Sequence, residues 1–211
     1  SHTAATMKKY LALYNVFVRS VLAGVMIGFG CIVYLMCPNR IVGAFLFSFG
    51  LLTIVCRGLS LYTGKVGYCR TFGALDLAVT LAGNFVGTFL TARLFALTRH
   101  TCDIASVVEP KLADDPLGFF LLSAACGAMM FLAVDSYRKS NAWLFVIPPV
   151  VIFILSGFEH SIANMFYLSY AGPWTLDALR ISAIAVAGNA VGSWLIDAAN
   201  FTLPRGGAAE G

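Results

Sequence analysis

The sequence predicts an all-α membrane protein of six transmembrane helices, folded as an inverted repeat with its second and fifth helices broken. Three observations carry that prediction. The 211 residues are 59% hydrophobic and only 11% charged, with a mean hydropathy of +0.84, whereas a soluble domain carries roughly twice that share of charge. Six continuous apolar runs recur along the chain, each near or above the roughly 20 residues that cross a bilayer as a helix. A short motif, Gly-Asn-x-Val-Gly, appears once in each half. Spanning β-strands would read as short alternating segments, which these runs are not.

The first span runs from about Leu11 to Cys37 and ends at the turn signal "CPNR". The second starts near Ile41 and reaches about Cys69, and the third covers Phe72 to Leu97. The longest polar stretch, "TRHTCDIASVVEPKLADDP", follows as a loop. Span four is Pro116 to Tyr137, span five Trp143 to Ala171, and span six Leu176 to Leu203, with "RKSN" and "GPW" between them. Breaker residues crowd spans two and five. "FSFGLLTIVCRG" and "VIPPVVIFILSG" each place a Gly, or a Pro pair, upstream of a second Gly. A helix interrupted in the membrane exposes backbone groups, which are tolerated only inside protein or beside a water-filled pore.

Lys and Arg counts favour cytoplasmic termini. Lys8, Lys9, Arg70, Arg138, Lys139 and Arg205 then lie inside, and Arg40, Arg99, Lys111 and Arg180 outside. A net charge of +4, scattered around membrane spans, forms no face for nucleic acid. The six cysteines show no CxxC pair and read as small apolar filler. No metal-ligand spacing or cofactor motif appears.

The two halves, about 11–97 and 116–203, match in register. "GNFVG" (83–87) in span three corresponds to "GNAVG" (188–192) in span six, and "GLSLYTGKV" (58–66) lies against "GFEHSIANM" (157–165). Gly58 then meets Gly157, Leu61 meets His160, and Lys65 meets Asn164. With three spans per half, the second half enters from the opposite face, as in many channels and transporters. Asn84 and Asn189 need partners, because a buried amide in lipid is costly without them. The "F-x-F" clusters read as lipid-facing or interprotomer packing, and His100 as a solvated loop residue. Asp76, Asp197 and Arg93 lie near span ends and read as snorkelling or capping.

"SGFEHSIANMF" (156–166) resembles the fifth-helix motif of the formate/nitrite transporter family. "LYTG" (61–64) is similar to the family's second-helix motif, and "LFSFGLL" (46–52) falls at its second-helix interruption. The resemblance spans about Tyr14 to Leu203. It implies an aquaporin-like fold, with residues 1–211 as one channel domain, and a homopentamer with a pore in each protomer in the cell (inner) membrane. It implies a central histidine, His160, facing the hydroxyl of Thr63. Constrictions at Phe47, Leu51, Leu61 and Phe153 bracket that histidine, with Phe47 and Leu51 on the second-helix loop. Lys111 takes the place of a basic residue at the outer vestibule. The sequence departs from the family pattern at Arg57, Ser60, Lys65 and Gly127. Asn is usual where Gly127 stands and is the usual partner of Glu159, so Arg57 is the expected replacement.

These residues suggest a chemistry. An anion must leave water to pass an apolar ring, at high cost. Lys111, Lys65 and Arg57 would attract it, and His160, with an ordinary pKa near 6.5, would donate a proton or a strong hydrogen bond. Asn164, one turn on, would orient the ring, and Glu159 would serve as a buried anchor. The expected substrate is a small monovalent anion of a weak acid, of the formate, nitrite or hydrosulfide class. A pore for small neutral solutes is the alternative. An enzyme is not expected, since neighbouring helical residues such as Glu159 and His160 point about 100° apart and no nucleophile constellation appears.

Overall fold

The structure, a computed structural model, describes residues 2–202. Arg205 and the final residue of the sixth predicted span lie outside the described residues. Every regular element among the described residues is helical. In chain order they are α1 (His2–Met36), α2 (Arg40–Arg57), α3 (Tyr62–Lys65), α4 (Ala74–Ala96), α5 (Ala105–Ala113), α6 (Pro116–Ser140), α7 (Ile147–Leu155), α8 (Ser161–Ala171) and α9 (Leu176–Thr202). A 3₁₀ turn at Val66–Tyr68 follows α3, and another at Trp143–Val146 precedes α7. Among the described residues, five helices are long and apolar enough to cross a bilayer: 3–36, 40–57, 74–96, 116–140 and 176–200. The fifth predicted span is instead two shorter helices, α7 and α8, separated at 156–160.

Local chemistry explains the boundaries. Asn39 caps α2, its side-chain oxygen accepting from the Ile41 and Val42 amides at 3.0 Å. Asp115 caps α6 in the same way, with Pro116 in the first turn. Gly58 and Gly157, paired in the repeat, end α2 and α7 with φ of 61° and 69°, the left-handed conformation in which a side chain is strained.

Two expectations about the breaks need correcting. Residues 46–52 are continuous helix inside α2, so Phe47 and Leu51 stand on a helix and not on a loop. Gly50 serves close packing there, since a Cβ would press on the Met26 carbonyl oxygen at 2.6 Å. Pro148 and Pro149 fall in the first turn of α7, where proline costs no helical hydrogen bond. Both breaks come later, at 58–61 and 156–160. The expected polar loop also contains a helix, α5, which the charge of that stretch concealed.

Within each half, long helices pack through the repeated glycines. On α4, a Cβ at Gly87 would collide with the Val21 carbonyl oxygen of α1; on α9, one at Gly192 would collide with that of Ala124 on α6. Backbone contact of this closeness is how helices gain dispersion energy in lipid, where the hydrophobic effect between them is absent. The short pieces cross between halves: α8 packs on α4 and α1, while α3 and the 66–68 turn pack on α6 and α9. Large apolar side chains such as Leu11, Tyr14, Phe45, Phe49, Leu94 and Leu195 remain outward, the surface a bilayer or neighbouring copy would cover. Phe47, between the outward Phe45 and Phe49, is 2% exposed, so the F-x-F pattern divides between lipid face and interior.

Candidate functional site

The two breaks meet in the protein interior, and the repeated asparagines hold them there. Asn84 on α4 accepts from the Tyr62 amide at 2.8 Å and donates to the Ser20 and Ser60 carbonyls, each at 2.8 Å. Asn189 on α9 repeats every bond. It accepts from the Ser161 amide at 2.9 Å and donates to Ser123 at 2.7 Å and Glu159 at 2.9 Å. Each amide thus satisfies the first N–H of a short helix and the carbonyl just before it, groups that have no helical partner. Both asparagines are fully buried.

His160 sits at the break before α8, with extended backbone. Its Nδ1 accepts from the Ala163 amide at 3.0 Å, which makes it the N-cap of α8. Its Nε2 lies 3.1 Å from Thr63 Oγ1. An Nδ1 that accepts carries no hydrogen, so the neutral ring holds its proton on Nε2 and donates it to Thr63, a tautomer assigned from these partners. His160 and Thr63 are 2% and 1% exposed. The Phe153 ring stacks on the imidazole at 5.5 Å, and Phe47 meets Phe153 edge-on at 5.9 Å.

Cavities reach this centre from opposite ends of α6. One, of about 550 Å³, is lined by Lys65, Asp76 and Arg138 and ends on Leu51 and Leu61. The other, of about 370 Å³, is lined by Lys111 and Glu159 and ends on Phe47, Phe153 and His160. The two cavities, or vestibules, thus end on four apolar side chains, Leu51 and Leu61 on one side and Phe47 and Phe153 on the other, near the His160–Thr63 pair.

The structure brings His160, Thr63, Phe47 and Phe153 together and gives several of the charged residues partners other than those expected. Glu159 is paired with Lys111, whose Nζ lies 2.6 and 2.7 Å from its two oxygens, and accepts from Asn164 Nδ2 at 2.8 Å. Arg57 is not that partner; it is exposed at the end of α2 and lines neither vestibule. Gly127 has no room for a substitute, because a Cβ there would collide with the Asn189 backbone. Asn164 binds Glu159 and does not orient the imidazole, which Ala163 and Thr63 hold. Lys65 lies 2.9 Å from Asp76, so that carboxylate is a vestibule partner and not a snorkelling end. Asp197 pairs with Arg70 at 3.2 Å, and Arg93 donates to the Ser169 carbonyl at 3.3 Å. Sequence reading missed Arg19 and Arg40, which donate to the Gly58 and Leu155 carbonyls at the C-terminal ends of α2 and α7.

Comparison with known proteins identifies the family. A family model for the formate/nitrite transporters matches residues 2–200. The nitrite transporter NirC of Escherichia coli is 30% identical over 186 residues, covering 74% of this chain and 69% of its own. The formate channel FocA of Haemophilus influenzae is 26% identical over 151 residues, 62% of this chain; the aligned part spans about half, 53%, of that relative. A pentameric formate channel with formate bound shares the fold at a TM-score of 0.78 and 22% identity, over 90% of this chain and 96% of the other. The all-helical fold, the paired breaks and the match along nearly the whole chain lead to one conclusion: this protein belongs to the formate/nitrite transporter family.

Proposed function

We propose that the chain is a channel or transporter for small monovalent anions of weak acids, of the formate and nitrite class, working as a homopentamer in the cell membrane with both termini cytoplasmic. The observation that carries this reading is a neutral imidazole N–H, held between two cation-bearing vestibules by apolar gates. Lys111 and Lys65 draw an anion toward Phe47 and Phe153 on one side and Leu51 and Leu61 on the other. The anion then exchanges water for the Nε2–H of His160 and the hydroxyl of Thr63, near the N-terminus of α8, where the helix dipole favours negative charge.

The geometry separates two roles for His160. A neutral imidazole is a good hydrogen-bond donor but not an acid near neutral pH. Giving up a proton requires the doubly protonated ring, and Nδ1 gains one only by breaking the Ala163 bond. Hydrogen-bond donation to the anion is therefore favoured over proton donation. The names of the relatives, a nitrite transporter and formate channels, support the substrate class.

The test is uptake of formate, nitrite and hydrosulfide into proteoliposomes, wild type against His160→Asn, at two pH values. Slower anion uptake by the variant is the expected outcome. An unchanged rate and pH response would remove His160 from the mechanism. Osmotic swelling with neutral solutes, without anion uptake, would establish the neutral-solute pore instead.

A further inference from the structure

The two vestibules differ in charge. Among the side chains lining the Lys111 side, Arg40 and Lys111 face Asp114 and Glu159, so cations and carboxylates balance. On the Lys65 side, Arg19, Lys65 and Arg138 face one carboxylate, Asp76. The side chain of Lys65 is 11% exposed and that of Asp76 28%, so the amine sits deeper than its counter-ion. Aromatic rings shelve the cations. Lys65 Nζ lies 4.6 Å from the Phe72 centroid, and the Arg138 guanidinium lies 4.3 Å from that of Tyr68 and 5.9 Å from that of Phe72. Arg19 donates from Nη1 to Gly58, and a guanidinium has five N–H groups to offer.

We propose that Arg19, Lys65 and Arg138 form a holding site for a small monovalent anion, and that Asp76 is its built-in competitor, occupying Lys65 until an anion displaces it. The anion class rests on the transport reading above. A lysine this buried is costly without a counter-ion, and exchange of one carboxylate for another anion keeps it paired throughout. The exchange also holds affinity low, which conduction requires: an ion must bind well enough to enter and weakly enough to leave. The repeat sharpens the contrast. Lys65 corresponds to Asn164, and Ser60 to Glu159, so the second half holds its carboxylate inside the motif while the first half borrows Asp76 from α4.

Equilibrium binding of ¹³C-formate and ¹⁵N-nitrite to the purified full chain in detergent, read by NMR line broadening, tests this without transport. Asp76→Asn frees Lys65 and is expected to tighten binding about fivefold, the scale of one partly screened charge contact. The double variant Lys65→Met/Asp76→Asn, which leaves no unpaired carboxylate, should bind more weakly than wild type. Arg138→Gln, at an exposed position, should weaken binding about threefold with the fold intact. Unchanged or weaker binding by Asp76→Asn overturns the proposal, because Asp76 would then only position Lys65. Proteoliposome uptake by the same variants separates the two readings. Wild type that binds the anions but moves none refutes transport and leaves the holding site; wild type that transports them, with binding insensitive to all three variants, refutes the holding site alone.

Discussion

Replacing Asn189 with leucine removes an amide of similar size and leaves three backbone groups without it: the Ser161 N–H and the Ser123 and Glu159 carbonyls. The Ser123 carbonyl lies inside α6 and keeps its helical partner. The other two stand at the break before α8, where no helical partner exists. An orphaned buried backbone group costs about 1–3 kcal/mol. Interhelical hydrogen bonds measured in a membrane protein average nearer 0.6 kcal/mol, because the unfolded chain finds other partners. The break residues are held away from alternatives, so the larger scale applies, giving a loss of about 3 kcal/mol from two orphans. Asn84→Leu orphans the Tyr62 N–H and the Ser60 carbonyl in the same way and should cost a similar amount. Unfolding of the purified protein by SDS titration, followed by tryptophan fluorescence, measures both. Losses under about 0.5 kcal/mol in both variants, or a large loss in one half only, would refute the equivalence of the two clamps.

Lys111→Met should destabilise by about 3 kcal/mol by leaving Glu159 buried and unpaired. Adding Glu159→Gln should recover most of that in the same titration. Gly192→Ala drives a methyl into the Ala124 carbonyl and should cost about 1–3 kcal/mol, visible as a lower melting temperature. Phe153→Ala opens the stack on His160, and stopped-flow light scattering should then record faster water flux through proteoliposomes. Thr63→Val removes the acceptor of the Nε2 hydrogen and should slow anion uptake, with a stability loss near 1 kcal/mol.

The parts of the fold written in one dimension were legible. Apolar length located the five long helices, and the two Gly-Asn-x-Val-Gly motifs gave both the half-to-half register and the demand for amide partners, which the clamps meet. The pairing of Leu61 with His160 holds because Gly58 and Gly157 end their helices alike. The partners of charged residues were not legible, because they depend on which distant element arrives. Lys111 reaches Glu159 from α5, a helix hidden in what reads as a polar loop. Asp76 looked like the end of a span until the turn after α3 brought Lys65 beside it. Breaker residues also misled in detail: Gly50 and the Pro148–Pro149 pair are compatible with helix at their positions, one as a contact point and the others in a first turn.

The crossing of the short helices constrains how the molecule is made. The wall beside α4 is completed by α8, and the wall beside α9 by the turn after α3, so each half carries the closing piece of the other. A nascent chain that has delivered only α1 to α4 holds one clamp and half a gate, with its inner seam open to lipid. The second clamp and the wall beside the 66–68 turn are complete only once α9 is in place.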